Sequence, residues 1–261
     1  MKFLKIFLAL FMLTLPITSF AGEGKITVIF NNTPLDRGLS LGWGFACMIE
    51  GFEKTLLFDT GSDGKILISN MNKSSIDPAR IDSVILSHEH YDHVGGLESF
   101  LKINGRRAEV YFPVSFPPDL QGKIRRWAEK AIGVDTHPLE ICRHVWTTGE
   151  LGKGIREQAL VLETKKGLVI ITGCAHPGIV SIVETVTRSF DEEIYLVMGG
   201  FHLTGSGDEK VFSVIQGLRR LGVRKIAPSH CTGDLAIQRF QKAWGKDFIW
   251  GGCGSRITLD L

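Results

Sequence analysis

Between Ser87 and His93 the chain reads Ser-His-Glu-His-Tyr-Asp-His, which puts three imidazoles and two carboxylates into seven residues. Neutral imidazole and carboxylate are donors that zinc takes, and manganese and iron take them too. No cysteine interrupts the stretch, which argues for an open, reactive site over a closed structural zinc. The bland alternative is a solvated, histidine-rich turn. Three later stretches weigh against it: Gly173-Cys-Ala-His-Pro-Gly178, Gly199-Gly-Phe-His202 and Ser229-His-Cys-Thr-Gly233.

Each of these histidine runs follows an apolar, strand-like segment. Residues 84–87 lead to His88, 168–172 to His176, 194–198 to His202 and 226–228 to His230. Strands that lie side by side and end on one edge bring their terminal loops together, so distant histidines can share a site. Six of the eight histidines fall in these loops, and His137 and His144, in a weakly patterned middle region, read as surface or core residues. Upstream, residues 25–31, 45–49 and 55–58 read as short strands, the last running into Asp59-Thr60-Gly61. Helical spacing of apolar residues marks Leu120, Ile124, Trp127, Ala128 and Ala131, and again Ile179, Val183, Val186 and Phe190. Ser206 with Glu209 reads as a capping box ahead of a helix stopped by Gly222, and a fourth helix is expected over residues 235–244.

The first 21 residues differ from the rest. Lys2 and Lys5 precede an apolar run over residues 6–15, and Ser19-Phe20-Ala21 offers small residues for cleavage, so residues 1–21 read as a secretory signal peptide and the chain as periplasmic or secreted. Its apolar run is short for a membrane span of about 20 residues. The full chain has 30 basic and 28 acidic residues, and removing residues 1–21 leaves 28 of each. A near-neutral chain carries no nucleic-acid footprint and no anionic-membrane patch, which points to a small-molecule substrate. Five cysteines lack Cys-x-x-Cys spacing, so neither a zinc ribbon nor a thioredoxin-like pair is present. In an oxidising compartment a disulfide such as Cys142 to Cys253 can form.

His88-x-His90-x-Asp92-His93, followed by His176, His202 and His230 in the loops above, resembles the metallo-β-lactamase superfamily over nearly all of residues 22–261. Gly42-Trp-Gly44, Phe58-Asp-Thr-Gly61 and the three later histidine motifs are similar to the branch of 7,8-dihydropterin-6-yl-methyl-4-(β-D-ribofuranosyl)aminobenzene 5′-phosphate synthase. The resemblance implies an α/β protein of four layers, a single-domain αββα sandwich, with one or two divalent metals, zinc first and manganese or iron as alternatives. It implies His88, His90 and His176 as ligands of the first metal and Asp92, His93 and His230 as ligands of the second. Asp59 would brace the loop from outside the ligand set.

At Gly200-Phe201-His202 the chain departs from the superfamily, many of whose members carry a metal-bridging aspartate there. His202 then has three open roles: a ligand, a donor of a proton or hydrogen bond to substrate, or a structural side chain. Cys174 and Cys231 flank ligand histidines and read first as small buried thiols, with metal contact as the alternative. Trp43 and Trp146 read as core or rim, and the pairs Arg106-Arg107 and Arg125-Arg126 as solvated helix faces. The implied chemistry is hydrolysis of a small ester, lactone, amide or phosphoester by a metal-bound hydroxide, since a metal lowers the pKa of water from about 15.7 to about 7. Asp92 would orient that water and His202 would serve the leaving group. The alternatives are the phosphoribosyl transfer of the named branch and a non-catalytic metal-binding protein of the envelope. A redox di-iron protein is disfavoured, because no rubredoxin-like Cys-x-x-Cys is present.

Overall fold

The computed structural model describes residues 22–261, so the signal segment read over residues 1–21 lies outside the described residues. Two sheets carry the fold. The first contains β1 (Glu23–Asn31), β2 (Phe45–Glu50), β3 (Leu56–Phe58), β4 (Ser83–Ile85), β5 (Glu109–Pro113), β6 (Ala131–Val134) and β13 (Arg256–Asp260), in the order β13-β1-β2-β3-β4-β5-β6. The second contains β7 (Leu139–Cys142), β8 (Val145–Thr147), β9 (Leu160–Thr164), β10 (Gly167–Thr172), β11 (Ile194–Gly200) and β12 (Lys225–Ser229), in the order β12-β11-β10-β9-β8-β7. Within the first, β3 to β6 run parallel, and within the second so do β10, β11 and β12. Parallel strands need crossovers, and helices supply them: α1 (Gly64–Lys73), the single turn α2 (Tyr91–Val94), α3 (Leu97–Asn104), α4 (Pro118–Trp127), α5 (Ile179–Ser189) and α6 (Asp208–Arg220), while α7 (Asp234–Trp244) follows β12 and leads back to the first sheet.

Three apolar clusters fix the layering. Ile26, Val28, Phe45 and Phe58 of the first sheet meet Val169, Ile171, Leu196 and Met198 of the second face to face. Alternate residues of the first sheet, such as Met48, Leu57 and Val84, are covered by Leu67, Phe100 and Ile124 of α1, α3 and α4. Those of the second, such as Ile170 and Val197, are covered by Val183, Leu218 and Phe240 of α5, α6 and α7. The order is helix, sheet, sheet, helix.

Several sequence expectations need correction. Ala131 opens β6 and does not close a helix, because α4 ends at Trp127, Ala128 is extended, and residues 131–134 pair with β5. Ser206 does not cap α6: it sits in a turn with its N–H on Leu203 O, and Gly207 holds the cap position without a side-chain bond. The weakly patterned middle region contains β6, β7 and β8, each of three or four residues, too short for alternation to register. No disulfide joins Cys142 and Cys253. All five cysteines are free; Cys142 lies in β7 of the second sheet, while Cys253 sits beside Ser40 and Asn70 against the other sheet.

A candidate metal centre

The loops after β3, β4, β10, β11 and β12 leave the carboxyl ends of parallel strands on the facing edges of the two sheets, and they carry Asp59, His88 to His93, His176, His202 and His230. Ligand atoms of His88, His90 and His176 lie within 4.8 Å of one another, as do those of Asp92, His93, Cys174 and His230. A third group, sharing Cys174, adds His202 and Cys231. The rings lie tilted against one another from one group to the next: His88 and His93 centroids are 4.1 Å apart, and His176 and His202 centroids 4.4 Å. His137 and His144 lie elsewhere, beside Asp135 and Glu163.

Backbone strain concentrates here. Among the described residues, seven besides glycine have positive φ, and Asp59, Ala175, His202 and His230 are four of them, at 57°, 60°, 51° and 52°. Such conformations cost about 1–3 kcal/mol each and persist only where surrounding contacts dictate them. Close backbone approach matters at Gly44, where a Cβ would come within 2.3 Å of Asp92 O, so the Gly-Trp-Gly turn rests directly on the turn that carries Asp92.

Outer hydrogen bonds aim the rings. His93 Nδ1 donates to Asp59 Oδ2 at 2.6 Å, and Ser87 Oγ donates to the same oxygen at 2.7 Å. With its proton so committed, Ser87 Oγ accepts from His88 Nδ1 at 2.9 Å. Ser87 N–H donates to Asp59 Oδ1 at 2.7 Å. One buried carboxylate thus fixes the orientation of two imidazoles, with Nδ1 engaged on the outside and Nε2 turned inward in both. His230 is held likewise by Asn32, whose Oδ1 accepts from Nδ1 at 2.7 Å.

The loop bearing His176 is held by Glu157. This fully buried carboxylate accepts four backbone N–H bonds, from Gly173 (3.0 Å), Cys174 (2.9 Å), Ala175 (2.9 Å) and His176 (2.9 Å). Its neighbour Gln158 donates to Leu86 O at 2.8 Å, tying the same segment to the loop that starts the histidine run. Sequence reasoning missed Glu157, Gln158 and Asn32, for no periodicity or motif marks them.

A divalent cation fits this donor set. His176 Nε2 and His230 Nε2 are buried without a hydrogen-bond partner, which native proteins rarely tolerate. His230 Nε2 is 3.2 Å from Asp92 Oδ2 but outside hydrogen-bond geometry. A cation in each group satisfies that group's orphaned nitrogen.

The sequence model of the Metallo-beta-lactamase superfamily matches residues 44–111. A 7,8-dihydropterin-6-methyl-4-(beta-D-ribofuranosyl)-aminobenzene-5'-phosphate synthase from Methanocaldococcus jannaschii is 31% identical over 252 residues, which cover 79% of this chain and 86% of that protein. The chain belongs to the metallo-β-lactamase superfamily. The solved structure of Tm1679, described as a metal-dependent hydrolase of the β-lactamase superfamily, matches with a TM-score of 0.76 at 27% identity, covering 90% of this chain and 98% of that one. Human tRNase Z, short form, matches with a TM-score of 0.61 at 16% identity, over 89% of this chain and 98% of that one, and shares the fold. The two mixed sheets between helices are the superfamily's sandwich, and the loops at their shared edge are where this chain gathers its donors.

Charge within this superfamily member divides the two principal groups. Burial, then the neighbouring imidazoles, lowers His88 well below the ordinary histidine range and His176 to about 4, so both offer lone pairs at neutral pH. Burial opposes charge on His93 too, but Asp59 and Asp92 outweigh it and raise it to about 10. Burial likewise opposes charge on Asp92, yet the adjacent His230 and His93 rings, 3.2 Å and 3.4 Å away, hold it well below the carboxylate range. Burial raises Glu157 to about 7 against its four N–H donors. The two neighbouring thiols titrate apart, Cys231 lowered and Cys174 raised, and His202, which lies beside Cys231, is raised.

One pH dependence follows for the metal-free chain. The folded state holds the His93 proton more tightly than an unfolded chain does, so its stabilisation is complete below about 6.5 and is lost as pH climbs through about 10. Thermal midpoints measured with chelator present are expected to fall across that interval, and midpoints that rise across it contradict the assignment.

His202 is exposed, flanks His176 and reaches no carboxylate. Trp43 stands 54% exposed with its ring 5.0 Å from His230, and Tyr91 is 70% exposed on α2, so two aromatic faces rim the site. Trp146 packs on Phe190 in the outer core, and Arg106, Arg107, Arg125 and Arg126 are exposed away from the donors.

Proposed function

We propose that this chain is a metal-dependent hydrolase of small esters, lactones, amides or phosphoesters, with two divalent metals, zinc foremost. His88, His90 and His176 hold one, and Asp92, His93 and His230 hold the other. The observation that carries this reading is the pair of adjacent donor groups, each with a buried imidazole nitrogen left without a partner. Bound metals supply Lewis acidity and a water acidified to about pKa 7. The chain's own residues do the rest. Asp92 stays ionised and orients the attacking water. His202, exposed beside His176, gives a proton to the leaving group, and Trp43 and Tyr91 offer faces to a planar part of the substrate.

The likeness to a synthase favours a second reading, phosphoribosyl transfer on a pterin-bearing aminobenzene, with the same donors placing the substrate. A panel of chromogenic esters, lactones, phosphodiesters and β-lactams, run beside the synthase reaction with metal-free and reloaded protein, separates the two. The hydrolase reading expects metal-dependent turnover on at least one ester, lactone or phosphodiester. Turnover only in the synthase reaction, or metal bound with none at all, contradicts it.

We place this activity outside the cytoplasm, acting on small molecules, on the strength of the signal segment read over residues 1–21. N-terminal sequencing of the exported chain is expected to start at Gly22, and an uncleaved Met1 terminus contradicts this.

A further inference from the structure

We propose that the Cys174 sulfur is a metal ligand, completing with Asp92, His93 and His230 a set of two nitrogens, one oxygen and one sulfur. The inference rests on the metal reading above. Cys174 Sγ is 3.2 Å from His93 Nε2, and its sulfur lies within 4.8 Å of the donor atoms of Asp92 and His230. It is buried, and its backbone is pinned by Glu157 between Gly173 and Ala175. His230 Nε2 faces the same space, buried and without a hydrogen bond.

The structure also shows why the loop after β11 gives the second group no carboxylate. After β11, a side chain at Gly200 has nowhere to go: a Cβ there would lie 2.4 Å from Gly173 O and 2.7 Å from Cys231 Sγ. Phe201 points into the outer core against Phe240. His202 lies with the two cysteines and beside His176. That loop therefore delivers no carboxylate, and Asp92 is left as the single carboxylate of the second group. A thiolate from the adjacent loop supplies the group with a second negative charge. On ligation the S–H bond breaks, the proton leaves to solvent and a sulfur–metal bond forms, with no change of oxidation state. Sulfur in the set selects zinc over magnesium, calcium or manganese.

Cys231 is the rival sulfur. Its thiol donates to Cys174 O at 3.6 Å, and it groups with His202 and not with Asp92, His93 and His230.

Cobalt(II) loading of the chelated full chain tests this. The wild type is expected to show visible ligand-field bands and a near-ultraviolet thiolate-to-cobalt charge-transfer band. Cys174→Ser is expected to lose the charge-transfer band while keeping ligand-field bands from the first position, and Cys231→Ser to keep both. Cobalt bound without the charge-transfer band, or the band lost in Cys231→Ser and kept in Cys174→Ser, overturns the assignment and leaves the metal reading standing. No cobalt binding at all overturns both. Should Cys174→Ser fold poorly, X-ray absorption of the zinc-loaded wild type decides: a sulfur scatterer at about 2.3 Å supports the ligand, and nitrogen and oxygen alone at about 2.0–2.2 Å overturn it.

Discussion

Replacing Asp59 with asparagine is expected to leave the fold in place and strip the second metal position. The substituted side chain keeps an oxygen for Ser87 N–H, but its amide nitrogen, a donor, takes the place of Oδ2. There it meets two other donors, His93 Nδ1–H and Ser87 Oγ–H. The conflict is relieved by moving the His93 proton to Nε2, the atom that faces Cys174 and Asp92. Ser87 then accepts from the amide and points its own proton at His88 Nδ1, which reverses the second tautomer. Removing such an outer partner costs about 10–100-fold in metal affinity, and two imidazoles affected together place the expected loss at the upper end. The stability cost is smaller, about 1–3 kcal/mol for a buried polar mismatch. Zinc titration with thermal unfolding checks both, and wild-type zinc affinity in Asp59→Asn would show that Asp59 does not set the rings.

Glu157→Ala carries the larger cost in stability. It leaves four buried N–H groups with no acceptor, and each orphaned donor costs about 1–3 kcal/mol. Because the four share one loop and the loop can relax, the costs do not add, and a net loss on the order of 4 kcal/mol is expected. That is a large part of the roughly 5–15 kcal/mol that holds a typical domain folded. Glu157→Gln preserves the shape and one oxygen, enough for the three donors on Oε1, and is expected to lose less. Urea unfolding of both variants measures this. Equal stability of Glu157→Ala and wild type contradicts the role given to Glu157.

The layering and the meeting of the loops were legible because both follow from repeated local signals. Runs of apolar residues ahead of His88, His176, His202 and His230 became β4, β10, β11 and β12, and parallel pairing placed their ends on one edge. What stayed illegible depends on contacts between distant segments. Glu157 sits 16 to 19 residues from the N–H groups it accepts, Asn32 lies 198 residues from His230, and neither belongs to a periodic pattern. The short strands β6 to β8 are defined by pairing partners and not by their own alternation. The expected capping box at Ser206 and Glu209 failed for a local reason: the helix begins one residue later than the motif requires.

Two adjacent donor groups, each built to take a divalent metal, make a stoichiometric expectation. The most direct measurement is an equilibrium titration of the chelated chain with zinc, read as equivalents bound per chain. Two equivalents are expected in the wild type, with one removed by His176→Ala and the other by His230→Ala. A wild-type chain that binds no zinc, or whose binding is unchanged by both substitutions, contradicts the account.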